Sequence, residues 1–328
     1  MMKFIKKVFS SFMFIVFFIT SSHFNCAFAD SNKKVKNLFF DVDYKMPTSM
    51  AIALERSDEE NDILVFRYDK ERICRLKKVF DHVYYEFDKN SLNEFLRKKD
   101  LYDNFFSCNG AHGHIMKYLC NGKKYCHFED GCNEYIMERT CNWFCDKTKV
   151  KKMFLMFPEY RFKTFKNIST QKISREKYLE AIKILYEPKP LNKQIIYCTD
   201  CPELLNKKIV KNTINILKDY KGVVIKQHPR DRKNYIWPDN FTVIKEYRPF
   251  ERIYYGFNGV FISNLSACLH TAKFMQPNST VICTVFMDEN KDKKQYGGYI
   301  KMLKDQGVLF PKTLQELKKM ISQNINKI

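Results

Sequence analysis

The sequence predicts an α/β protein of two doubly wound halves facing a central cleft, and three observations agree on it. Short, near-continuously apolar runs alternate with amphipathic helical patterns along most of the chain, as parallel strands joined by helical crossovers require. The alternation stops and restarts around Glu187-Pro-Lys-Pro-Leu191, where two prolines cannot continue a helix. A length of 328 residues also suffices for two domains with cores of their own.

The amino terminus stands outside this alternation. Lys3, Lys6 and Lys7 form a basic start, Val8 to Thr20 is a short apolar run, and Ala27-Phe28-Ala29 gives small-x-small before Asp30. That order is a secretory signal, and the run is shorter than the ~20 residues a spanning helix needs. Cleavage after Ala29 is expected, with a signal-anchor that ties the chain to a membrane as the alternative.

In the first half, strands are expected at Val35–Phe40, Ile63–Arg67, Val83–Phe87, Asn104–Ser107, Tyr125–Phe128 and Met153–Met156. Helices fall near Thr48–Arg56, Glu71–Val79, Leu92–Lys98 and His114–Leu119, with Ser91 as N-cap of the third. Ser174 opens a fifth, in which Tyr178, Leu179, Ile182 and Leu185 follow the i, i+3/i+4 spacing of one buried face. Beyond the prolines, strands are expected at Gln194–Tyr197, Val223–Lys226, Thr242–Ile244, Gly259–Ser263 and Val281–Val285. Helices fall near Pro202–Asp219, Phe250–Tyr255, Ser266–Phe274 and Thr313–Ser322, the last opened by the capping box Thr313-Leu-Gln-Glu316. The domains are therefore drawn at 30–187 and 188–328.

With 57 Lys+Arg against 37 Asp+Glu the chain suits an anionic partner, and 15% aromatic residues exclude a disordered tail. The aromatics fall inside strand and helix patterns, without the aromatic–basic stripes of single-strand binding, so nucleic acid is not the expected partner. Loss of the signal removes Cys26 and leaves 11 of the 12 cysteines. In an exported chain that number points to disulfides, above all among Cys120, Cys126, Cys132, Cys141 and Cys145. Only Cys141-x3-Cys145 approaches a zinc knuckle. Cys198-Thr-Asp-Cys201 reads as a local disulfide, a redox pair or two buried thiols.

Ligands of doubly wound sheets sit beyond the carboxyl ends of strands, so three strand ends carry the functional argument. Phe128-Glu129-Asp130-Gly131 runs a strand into two carboxylates, whose mutual repulsion suits one to proton transfer, and Gly131 admits close approach to the backbone. Taken alone it is also an ordinary acidic turn. Val223-Val-Ile-Lys-Gln-His-Pro-Arg-Asp231 delivers Lys226, His228 and Arg230 to one strand end with Pro229 fixing the turn, an arrangement suited to phosphate. Gly259-Val-Phe-Ile-Ser263-Asn-Leu-Ser266-Ala-Cys-Leu ends a strand in hydroxyls at a helix start. Ser266 there reads as an N-cap, and the same helix end is an anion site.

The combination of a Glu-Asp-Gly strand end, then Lys-x-His-Pro, then a serine-bearing turn resembles the bacterial-type sialyltransferases of glycosyltransferase family 52 and the polysialyltransferase-like group. The resemblance spans roughly Val35 to Pro311; where the family often pairs serines, this chain has Ser266-Ala267. It implies a GT-B-like fold of two Rossmann-like domains, the first on the acceptor side and the second on the donor side. It further implies inverting transfer of sialic acid from CMP-sialic acid to a glycan hydroxyl, without metal or other cofactor. Glu129 would be the general base, supported by Asp130 and Gly131. His228 would stabilise departing CMP, and Lys226, Pro229, Arg230, Ser263 and Ser266 would complete the donor site. The acceptor would be a glycolipid, glycoprotein or polysaccharide. Two alternatives stay open: a CMP- or CDP-dependent transferase of Kdo or glycerol phosphate, and a non-enzymatic exported basic glycan-binding protein. The signal, the cysteines and a CMP-sugar donor together suit a secretory lumen better than a periplasm. The sequons at Asn167, Asn240, Asn264 and Asn278 are compatible with it, and Asn264, inside the proposed site, should stay unmodified.

Overall fold

Among the described residues, twelve short strands, most of them buried on both faces, pair in parallel throughout two sheets. The computed structural model describes residues 34–325 apart from 42–45, 66–68, 86–87, 109–122, 130, 132, 137–148, 189–190, 192–193, 201–204, 229, 232–235, 245–248 and 290–292. The signal segment, the helix expected at His114–Leu119, Asp130, Pro229 and Cys120, Cys132, Cys141, Cys145 and Cys201 lie outside the described residues.

The first sheet has seven strands: β1 (Lys36–Asp41), β2 (Glu60–Val65), β3 (His82–Tyr85), β4 (Asn104–Ser107), β5 (Tyr125–Phe128), β6 (Val150–Leu155) and β7 (Ser169–Lys172), in the order β3-β2-β1-β4-β5-β6-β7. The second has five: β8 (Ile195–Cys198), β9 (Val223–Lys226), β10 (Thr242–Ile244), β11 (Val260–Ser263) and β12 (Thr280–Cys283), in the order β10-β9-β8-β11-β12. In each the chain starts mid-sheet, winds to one edge and crosses back. The reversal falls between β1 and β4 and between β8 and β11, the switch points where such sheets bind ligands.

Between and after the strands lie α1 (Met46–Leu54), α2 (Lys70–Leu76), α3 (Lys89–Lys98), α4 (Arg175–Tyr186), α5 (Lys207–Leu217), α6 (Phe250–Tyr254), α7 (Cys268–Met275), α8 (Gly297–Asp305) and α9 (Leu314–Ile325). Ser174 caps α4 as expected, its hydroxyl accepting from Lys177 N. The expectation for Ser91 is corrected: Asp88 caps α3, accepting from Asn90 N and Ser91 N, while Ser91 Oγ accepts from Tyr85 N at 2.9 Å. A carboxylate satisfies two orphan amides, which a hydroxyl does less well.

Residues 35–328 form one compact unit. One apolar cluster runs through both sheets, from Phe39, Met50 and Phe154 to Phe261, Leu269 and Tyr299. Helix α4 sits at its middle, packed on α1 and α2 from one side and on α6 and α7 from the other. Tyr178 OH donates to Glu251 at 3.2 Å and Arg175 Nε to the Met275 carbonyl at 3.0 Å, both crossing from the first sequence half to the second. Two smaller clusters cover the outer faces, one under α3 and one between α5 and α9. Among the described residues no helix is long and apolar enough to cross a membrane.

The six described cysteines, Cys74, Cys108, Cys126, Cys198, Cys268 and Cys283, are thiols rather than disulfide halves. This corrects the expectation for Cys126, whose side chain is buried within the shared core.

Candidate active site

The Glu-Asp-Gly strand end meets the serine turn across the two halves. Gly131 adopts φ +137°, a conformation other residues rarely take, and a Cβ built on it would lie 3.5 Å from Ala267 Cβ. Glu129, the residue after β5, is fully buried. Its Oε2 accepts from Tyr135 OH at 2.5 Å and Met156 N at 2.7 Å. Its Oε1 lies 2.7 Å from Nε2 of His270 on α7, itself fully buried. The two atoms make no aligned hydrogen bond, so the pair is a close contact between buried polar groups. Burial, and then the Glu129 charge, raise the Tyr135 hydroxyl well above its ordinary value and keep it a donor.

His270 carries the network onward. Its Nδ1 lies 3.0 Å from Tyr299 OH, which donates to the Ser266 carbonyl at 2.8 Å. No sequence signal marked this histidine: Cys-Leu-His-Thr reads as the inside of a core helix, and its partners come from α8 and from the other half. A second buried pair, His127 Nε2 with Glu134 Oε1 at 2.8 Å, braces the same strand.

On the donor side, Ser266 Oγ accepts from Cys268 N at 3.3 Å, satisfying one of the amides at the start of α7. Ser263 is fully buried, and its hydroxyl donates to the Cys198 carbonyl at 3.0 Å, a tie between β11 and β8 at the switch point. The backbone of His228 is fixed from the neighbouring strand end, its N donating to Thr199 Oγ1 at 3.0 Å. Because Nδ1 accepts from Arg230 N at 3.2 Å, the neutral ring carries its proton on Nε2, the tautomer able to donate to a phosphate oxygen. Arg230 is exposed, whereas Lys226 is buried and donates to the Gln227 carbonyl at 3.0 Å. Burial pushes its ammonium below the usual lysine value. Glu129, Gly131, Ser266 and His270 are thus brought together, and Lys226 and His228 lie at the end of β9, separated from β11 in the second sheet by β8.

Among the described residues the cluster with metal-like spacing is Glu60, Asp62 and His82, at the amino ends of β2 and β3, the edge opposite the site. Its oxygens are already used: Asp62 accepts from Tyr102 OH at 2.7 Å and His82 N at 3.1 Å, and Glu60 pairs with Lys36. It is a structural knot.

No family model matches the chain, and no curated protein matches it. Among solved structures, the wall teichoic acid polymerase TagF is similar over 89% of this chain and 82% of its own, at 14% identity and TM-score 0.53. The H444N variant of TagF gives the same score at 12% identity, over 90% of this chain and 81% of its own. Arabidopsis thaliana UGT89C1, complexed with UDP-L-rhamnose, is similar over 89% and 90% of the two chains, at 9% identity and TM-score 0.52. The architecture is GT-B-like. At such identities the likeness is one of fold, and it agrees with two parallel sheets of seven and five strands.

Proposed function

We propose that the chain is a nucleotide-sugar glycosyltransferase that moves sialic acid from CMP-sialic acid to a glycan hydroxyl, with inversion and without a metal ion. The observation that carries this reading is the meeting of the Glu-Asp-Gly turn with the serine turn, Gly131 against Ala267 and Glu129 against His270. It puts a carboxylate beside a helix start that would bind phosphate. The solved structures of similar fold include a wall teichoic acid polymerase and a protein complexed with UDP-L-rhamnose, which supports the class. In this reading the acceptor hydroxyl gives its proton to Glu129 while its oxygen bonds to the anomeric carbon. The bond from that carbon to the phosphate oxygen breaks, and the electron pair leaves with CMP. Oε2 already accepts two hydrogen bonds, and Oε1, 2.7 Å from His270 Nε2, is the oxygen to which this reading assigns the proton. His228 Nε2–H, the amides at the start of α7 and nearby Lys226 would meet the charge on the departing phosphate. Asp130, Pro229, Arg230 and Ser263 keep supporting roles in the proposal.

A second reading, transfer of Kdo or glycerol phosphate from a CMP- or CDP-linked donor, uses the same phosphate site, and the likeness of fold to a teichoic acid polymerase favours it. A donor screen on the purified chain separates the two, with CMP or CDP release as readout. CMP released from CMP-sialic acid, unchanged by EDTA, is the expected result. Release from CMP-Kdo or a CDP-linked donor instead moves the assignment to the second reading, and no release from any cytidine donor overturns both.

A further inference from the structure

Asp288 is fully buried, and the reaction above gives it no task. A carboxyl group there needs donors, and its place in the fold supplies them. Strands β8, β11 and β12 end in one row, Ser263 pairing with Cys198 on one side and with Cys283 on the other. From that row the chain leaves in three directions: toward α5, into the serine turn before α7, and into the short 3-10 turn Thr284–Met287. Asp288 follows this last turn, and its two oxygens reach back to the other two segments. Oδ1 accepts from Asn206 Nδ2 at 2.7 Å, and Oδ2 accepts from Asn264 Nδ2 at 2.9 Å.

Both asparagines are tied down on their other side. Asn206 caps α5, its Oδ1 accepting from Lys208 N at 3.0 Å and from Ile209 N at 3.3 Å. Asn264 opens the serine turn, and its carbonyl accepts from Cys283 Sγ at 2.5 Å. Asp288 is anchored through its own backbone: its N donates to the Val285 carbonyl at 3.1 Å, and its carbonyl accepts from Lys293 Nζ at 2.9 Å. A carboxylate accepts on both oxygens, whereas an asparagine in its place would offer one oxygen and turn its amide against a second amide. An acid is therefore the group that serves both loops at once.

We propose that Asp288 is a positioning residue that locks the Asn264-Leu265-Ser266 turn to the start of α5 and so sets the geometry of the donor-phosphate site. Its last clause rests on reading that turn as the donor site; the lock itself stands on the hydrogen bonds. The two loops it joins leave β8 and β11, the strands between which the sheet order reverses, so they border the crevice where such sheets take ligands. Bonds to a carboxylate are stronger than those between neutral groups, and here they lie away from water. Amides arranged for a phosphate serve it only while their spacing is kept, and the lock keeps it before any donor arrives.

Calorimetry with CMP tests the lock. Asp288→Asn and Asn264→Ala should each lower affinity about tenfold, the worth of one hydrogen bond. The double variant should also stand about tenfold below wild type rather than a hundredfold, because with Asn264 gone the new amide can turn its oxygen to Asn206 without conflict. Asp288 has an interaction beyond the bonds given above, and an effect through it would add to that of Asn264→Ala. Losses that add therefore overturn the proposal. Asn206→Ser guards against a mere loss of stability. Serine still caps α5 but donates nothing to Asp288 in place of the amide, so Tm should stay within a few degrees while CMP affinity falls about tenfold. Unchanged affinity in Asn206→Ser or in Asp288→Asn, whatever happens to Tm, marks a purely architectural acid and overturns the proposal. Should wild type fail to bind CMP, the donor-site reading fails first, and hydrogen exchange still decides the lock. In Asp288→Asn a peptide across Asn264 to Leu269 should exchange about tenfold faster while peptides of α4 keep their wild-type rates. Equal exchange across that turn in the two proteins would overturn the lock itself.

Discussion

Glutamine at position 129 keeps the outline of the buried carboxylate while removing its charge. Its carbonyl can still accept from Tyr135 and Met156 N, but its amide must face His270, so a buried mismatch replaces a balanced pair. Glu129→Gln should therefore lower stability by about 1–3 kcal/mol, read as a fall in Tm, and leave CMP affinity near wild type. Turnover should fall ~10²–10⁴-fold if Glu129 takes the acceptor's proton. Near-normal turnover would move that role to Asp130. His228→Ala differs: it removes a phosphate contact made before and during reaction, so CMP affinity and turnover should fall together. The thiols give an independent residue-scale probe. A hydrogen bond from Cys198 draws the Cys268 thiol below its ordinary value, whereas burial holds Cys198 well above. Iodoacetamide should thus label half-buried Cys268 before Cys198, with CMP slowing the reaction; peptide mass spectrometry showing Cys198 labelled first would contradict this.

Among the elements, the turn after β5 depends most on one residue type. Gly131→Ala adds a methyl at φ +137° beside Ala267, and should cost about 1–3 kcal/mol of stability and most of the turnover. Ser174→Ala, which removes only the cap of α4, should cost about 1 kcal/mol and leave CMP affinity untouched, so the pair separates site damage from general loosening. The elements also show what the sequence could reveal. Strands such as Asn104–Ser107, Tyr125–Phe128 and Val223–Lys226 stand at their expected bounds, since burial on both faces leaves an unbroken apolar run. Strand β7, Ser169–Lys172, escaped because an edge strand of Ser-Thr-Gln-Lys buries almost nothing and so carries no period. Helix α8 escaped because it opens with two glycines, poor helix formers whose small size serves a contact with the other half. His270 escaped for a similar reason: its meaning lies in partners from three distant segments, and no local spacing reports that.

For the whole molecule, the apolar cluster running through both sheets predicts one cooperative unfolding transition in calorimetry rather than two. Two well-separated transitions would show that the halves melt independently. If the chain enters a secretory lumen, the sequons divide by burial. Asn264 is buried with its amide donating to Asp288 at 2.9 Å, whereas Asn167 and Asn278 are exposed, so intact-mass and peptide analysis should find Asn264 bare. The shared interior has a further consequence for how the protein is made. As the chain emerges during synthesis, the first sheet and α4 are complete while α6 and α7, which cover their inner face, are still to be translated. That face stays wet until α6 and α7 arrive, so the event that seals the interior is the emergence of the segment through Met275. A nascent chain halted after Tyr186 should bind chaperones and aggregate, while a chain extended through α9, made about 10–30 s later, closes on itself.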